Sequence, residues 1–179
     1  MRDKVEIRLS GSGGQGLILA GIILAEAAIL DGKNAIQAQS YGPEARGGAS
    51  KAEVIISESE IDFPKVQNAD VLLALTQKAC DKYLTSLKMN GILLLDDSID
   101  ISPITFENYR VVRIPIIKTA AEKLSKVMVS NIVALAAIRE LTNAVTKESL
   151  EKAVLMRVPP GTGELNKKAL HEGYELVEL

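Results

Sequence analysis

Two glycine-rich stretches hold most of the chemical potential of this 179-residue chain. The first, GSGGQG, spans residues 11–16 and has the spacing G-x-G-x-x-G through Gly11, Gly13 and Gly16, with Gly14 and Gln15 inside it. Glycine permits a sharp turn and lets a ligand or another backbone come close. A helix opening here offers free N–H groups and the positive end of its dipole, and an anion suits both. A phosphate, a pyrophosphate or a partner's carboxylate meets that description. The glycines can equally serve close strand–helix packing alone. Gly13 is the position where a β-branched side chain is expected to obstruct the turn. A tightly held dinucleotide is disfavoured, because that reading needs an acid at the end of the next strand to hold the ribose hydroxyls. Here that segment ends IQAQS, and no acid follows until Glu44.

The second stretch, SYGPEARGGAS at 40–50, sets Tyr41, Glu44 and Arg46 among Gly42, Pro43, Gly47 and Gly48. Loops of this kind are often shaped for contact. Arg46 offers a planar donor fork for carboxylate or phosphate, while a plain hairpin with an incidental Glu44–Arg46 pair is the bland alternative. Both loops are expected at the same sheet edge. The other reactive residues read as structural. His171, the single histidine, belongs to the surface or an interface, and Cys80 to a helix with apolar neighbours, where it is inert. Asp96-Asp97 reads as a strand end or helix cap before a metal site. Asn131 is a buried amide bonded to backbone or an interface contact. PPGTGELN at 159–166 lacks the GK[ST] of a phosphate loop.

Composition limits the setting. The chain is 47% hydrophobic but 3% aromatic, without tryptophan, so its core is aliphatic. A net charge of −2 without dense basic runs excludes a nucleic-acid-binding face. One cysteine excludes an internal disulfide and a cysteine-ligated iron–sulfur cluster within this chain. A reducing, cytoplasmic location is expected. The N-terminus shows no signal-peptide core, and the apolar run 17–30 contains Glu26 and is too short to span a bilayer.

The elements that must position the loops alternate. Strands are expected at 5–9, 34–39, 51–56, 71–75, 91–95 and 109–114. Helices are expected from about Gly14 to Leu30, over 76–87 with Thr76 as N-cap, and at 117–126, 127–141 and 147–153. No helix fits between the second and third strands, and a parallel crossover needs a dozen or more residues. Those two strands are therefore expected to be antiparallel. The pattern predicts an α/β, Rossmann-like three-layer sandwich with a mixed, mostly parallel sheet. It forms one domain over 1–179, with a C-terminal tail at 158–179 holding a short helix near 164–172 and an extended end.

GSGGQG followed by QSYGPEARGGASKAEVIIS resembles the γ subunit of the 2-oxoacid:ferredoxin oxidoreductases. VSNIVALAA at 129–137 is similar to that family's late helix, and ELNKKALHEGYE to its C-terminal segment. The resemblance covers nearly the whole chain and is nearest to the 2-oxoglutarate type, then to the branched-chain oxoacid (ketoisovalerate) and pyruvate types. Ser12 varies freely in the family and carries no information.

The resemblance implies a subunit of an enzyme that oxidatively decarboxylates a 2-oxoacid to an acyl-CoA. Thiamine diphosphate forms the carbanion, and iron–sulfur clusters pass electrons to ferredoxin. The implied partners are α-, β- and δ-type subunits, with coenzyme A and ferredoxin met through the complex. This chain has no GDG…N thiamine motif and no cysteine set. No catalytic residue, metal ligand or cofactor of its own is assigned to it. Alone it is expected to be inactive and able to pair as a homodimer. Gly11, Gly13, Gly14, Gln15, Gly16, Tyr41, Gly42, Glu44, Arg46, Gly47 and Gly48 are the candidates for contact with CoA phosphates or with the thiamine-binding subunits. A free-standing nucleotide- or phosphate-binding regulatory module is the alternative.

Overall fold

The computed structural model describes residues 3–40, 49–102 and 106–177. β1 (Lys4–Ser12) turns through the glycines into α1 (Leu17–Leu30), and β2 (Asn34–Ser40) and β3 (Ala49–Ser57) follow. Next come β4 (Ala69–Ala74), α2 (Gln77–Tyr83), β5 (Leu87–Asp96) and β6 (Tyr109–Ile114). The chain closes with α3 (Ile116–Glu122), α4 (Ser130–Thr142), α5 (Lys147–Arg157) and α6 (Gly163–Glu175). The strands form one sheet in the order β2-β3-β1-β4-β5-β6. β3 is antiparallel to β1 and β2, while β1–β4, β4–β5 and β5–β6 are parallel. The stretch between Ser40 and Ala49 is too short for a crossover, so the expected antiparallel pair forms.

The two faces of the sheet are covered unequally. One carries α1 and α3 to α6 over Ile7, Leu9, Val54, Val71, Leu73 and Leu94. The other carries α2 and connecting segments, with Cys80, Tyr83, Val66 and Ile99 against Ile55, Leu72 and Leu93. Charge reaches into this thinner face. Arg8 on the central β1 is buried, yet its Nε donates to Glu53 Oε1 at 2.8 Å and Nη2 to the Val66 carbonyl at 2.9 Å. Nη1 bonds the Ser86 hydroxyl. With every arm occupied, the buried guanidinium ties the β3–β4 connection and the turn after α2 to the middle of the sheet. Removing Glu53 alone would strand a buried charge.

Several boundaries differ from the sequence pattern. β1 runs to Ser12, and α1 starts at Leu17 rather than Gly14 because Gly16 sits at φ 71°, outside helical space. The helix expected over 76–87 stops at Tyr83 and gives way to a 3₁₀ turn, Leu84–Ser86. β5 starts at Leu87, before Gly91, and absorbs a register shift against β4 between Ala69 and Val71. A 3₁₀ turn, Val127–Val129, precedes α4.

The largest revision is at the C-terminus. The expected tail helix runs from Gly163 to Glu175 and packs on α4, with Ala169 and Leu170 in the core. Its end is not extended, because Leu176 and Val177 pack against the same core and the Val177 N–H turns back to the Tyr174 carbonyl at 3.1 Å. Gly173 makes the close approach possible: a Cβ there would overlap the Val133 carbonyl oxygen and sit 2.6 Å from Ala136 Cβ. No described helix is long and apolar enough to cross a membrane.

Gly173→Ala is therefore expected to push α6 off α4 and to destabilise the chain by about 1–3 kcal/mol, the usual range for overpacking. Denaturant unfolding of the purified chain measures it, and an unchanged midpoint would show that the two helices have room to separate.

Candidate functional site

The glycine turn sits at the carboxyl edge of the parallel strands. Gly14 and Gly16 both have positive φ, 86° and 71°. Gly16 is the N-cap of α1, and its carbonyl accepts the Ala20 N–H at 3.0 Å. The same carbonyl accepts Asn131 Nδ2 at 3.1 Å, and Asn131 Oδ1 accepts the Ile132 N–H at 2.9 Å. Asn131 is thus the buried amide bonded to backbone of the two readings open from sequence, and it pins the turn to the start of α4. A Cβ on Gly16 would lie 2.5 Å from Asn131 Nδ2.

Gln15 serves the turn. Its Oε1 accepts the Ser12 N–H at 2.7 Å, and a Cβ on Gly11 would overlap that same oxygen. Gly13 is not the strained position that the sequence pattern suggested. Its φ is not positive, and nothing lies within 4 Å of the place its Cβ would occupy. The same open space surrounds Gly14, and both residues are exposed. The tip therefore presents bare backbone to whatever approaches, while Gly11, Gln15 and Gly16 hold it in shape.

Of the second stretch, the structure describes the flanking residues. Tyr41, Gly42, Glu44, Arg46, Gly47 and Gly48 lie outside the described residues. Ala49, which follows them, pairs with Ser12, and Ser50 pairs with Gly11. The Ala49 carbonyl also accepts the Tyr83 hydroxyl at 3.3 Å. The first described residue after 41–48, Ala49, thus lies beside Ser12, where the glycine turn begins.

Sequence reasoning missed two exposed apolar residues ahead of α4. Val127 and Met128 are 53% and 84% exposed in the 3₁₀ turn before α4, the helix whose Asn131 holds Gly16. Their residue types match an ordinary core helix, so only the packing reveals them. The remaining candidates are structural. Asp96 is buried and accepts the Ile117 N–H at 2.8 Å and the Ser98 hydroxyl at 2.5 Å, so it caps α3. Burial, with Asp81 nearby, pushes the Cys80 thiol up to about 11, an inert state. His171 is exposed and faces Glu175 at 3.4 Å. A cavity of about 320 Å³ lies at the opposite sheet edge, among Lys33, Asn90, Arg110 and Asn143, and takes no part in this arrangement.

Residues 6–176 match the family model for pyruvate ferredoxin/flavodoxin oxidoreductase. The chain belongs to this family. The 2-oxoglutarate synthase subunit KorC of Methanocaldococcus jannaschii is 51% identical, over 99% of this chain and 96% of that one. Among solved structures, the keto/oxoacid ferredoxin oxidoreductase gamma subunit from Geobacter sulfurreducens is 53% identical with a TM-score of 0.89, covering 98% of this chain and 97% of its own. The pyruvate oxidoreductase subunit PORC from Thermotoga maritima is 26% identical with a TM-score of 0.79, over 98% and 97%. Full-length likeness to oxidoreductase subunits leaves the free-standing regulatory module without support.

The geometry separates two glycines of one turn. Gly16→Ala is expected to lower stability by about 1–3 kcal/mol, from positive φ and displacement of Asn131. Gly13→Ala is expected to leave the melting temperature of the chain unchanged. Thermal melts of both variants test this, and equal losses would contradict the open tip.

Proposed function

We propose that this chain is the γ subunit of a 2-oxoglutarate:ferredoxin oxidoreductase and supports CoA-dependent oxidative decarboxylation of 2-oxoglutarate to its acyl-CoA. One observation carries the reading: the near end-to-end identity with the KorC subunit. The reaction divides between chains. Thiamine diphosphate and iron–sulfur clusters reside in α-, β- and δ-type partners, which pass electrons on to ferredoxin, and the complex works in the cytoplasm. The donor set of this chain supports that division. The chain has one cysteine, which is buried with its thiol pushed up to about 11, so a cysteine-ligated cluster needs ligands from other chains.

The contribution of this chain is its carboxyl edge. The bare tip of the glycine turn lets a phosphate of CoA, or the backbone of a thiamine-bearing partner, come within contact distance of Gly13 and Gly14. Arg46, in the stretch that leads into Ala49 beside Ser12, is the residue type for such an edge, a fork for carboxylate or phosphate.

Co-expression with candidate partner chains tests the assignment. The purified chain alone is expected to show no 2-oxoglutarate-dependent dye reduction, and co-purification with a thiamine-containing chain is expected to restore it. Turnover by the isolated chain, free of other subunits, would overturn the reading.

Arg46→Ala reads out the edge itself. A charge-assisted hydrogen bond contributes about 1.5–3 kcal/mol, so either CoA affinity or subunit association is expected to weaken at least about tenfold. The melting temperature of the isolated chain is expected to stay the same, because an exposed pair with Glu44 contributes about 0–1 kcal/mol. CoA titration and complex dissociation, measured together, identify the partner. A change below about twofold in both would remove Arg46 from the function.

A further inference from the structure

The two edges of the sheet are finished differently. β6, at one end, carries Arg110 and Arg113 and stops at Pro115. Charge and proline are the usual guards of an exposed strand edge. β2, at the other end, reads NAIQAQS, with no charge and no proline. Among the described residues, its outer side pairs with no strand.

The helix above this edge is unfinished in the same way. α1 (LILAGIILAEAAIL) has a single charged residue, Glu26, which pairs with Arg157 of α5 at 2.9 Å. A helix that is apolar all round is normally buried all round. Here Ile29 and Leu30 are 59% and 40% exposed, and Ile18 and Ile22 are half-buried. Ile18, Ile22 and Ile29 recur at helical spacing and share one side of α1. α1 lies over β2 and β3, with Gly21 against the Gln37 side chain. Gln37 Nε2 is shielded from solvent and has no hydrogen-bond partner among the described residues.

We propose that this edge, β2 together with the outer side of α1, is the contact between two copies of this chain related by a two-fold axis. A second copy finishes both layers at once. β2 adds antiparallel to its copy and continues the sheet, and α1 lies beside α1 on the same face. β2 complements itself under such an axis. Centred on Gln37, the pairing sets Ile36 opposite Ala38 and Ala35 opposite Gln39 of the second copy, with no like charges facing. A closed two-fold contact of this kind is the commonest form of self-association. The inference does not depend on which oxoacid the complex uses.

Light scattering on the full chain after gel filtration is expected to give twice the monomer mass. Ile29→Glu and Gln39→Lys, at exposed positions of the helix and strand layers, are each expected to weaken association at least tenfold. Met89→Glu, an exposed site on β5, is expected to leave the dimer intact. Hydrogen exchange is expected to show the Asn34–Ser40 amides protected in the dimer and released in the two dissociating variants. A monomeric wild type, or a dimer that tolerates both substitutions, would overturn the proposal. So would a monomer whose β2 amides become protected only when the other oxidoreductase subunits are added, which would assign the edge to them.

Discussion

The antiparallel pairing of β3 with β1 sets Ala49 opposite Ser12, and much of the functional geometry follows from that register. In an all-parallel arrangement the first two strands of the chain would lie side by side. Here β3 is inserted between them, and the stretch from Ser40 to Ala49 is too short for a parallel crossover. The insertion carries the start of β3 to the carboxyl edge, beside the glycine turn. It also moves β2 to the rim of the sheet, where its outer side has no strand neighbour among the described residues. A contact edge and an open strand edge thus arise from one topological choice.

The glycine turn is held by interactions that leave its tip free. Gly16 occupies left-handed space and has Asn131 within contact distance, while the Gln15 amide closes the loop on Ser12. Shape is therefore supplied from the helix side. Gly13 and Gly14 stay exposed, with open space where a side chain would project. The turn thus combines a fixed frame with an accessible backbone. The buried Arg8 has a related role on the thin face of the sheet, where its bonds to Glu53, Val66 and Ser86 hold long connections with little apolar cover.

Some of this was written in the sequence. The six strands and the antiparallel β2–β3 pair follow from alternation and a gap too short for a crossover. The inert character of Cys80 and the capping role open to Asp96 follow from their positions beside apolar runs. Other features needed distant residues to meet. Whether Gly13 or Gly16 is the constrained glycine depends on Asn131, which lies in a different helix. The depth of α6 in the core depends on Gly173 finding Val133, and no local pattern marks that glycine as a packing site. Local propensity and period fix which segments form strands and helices. Only tertiary packing decides which glycine is strained, which apolar residues stay outside, as Met128 and Ile29 do, and which strand is left at the rim, because each of these is set by contacts between residues far apart in the chain.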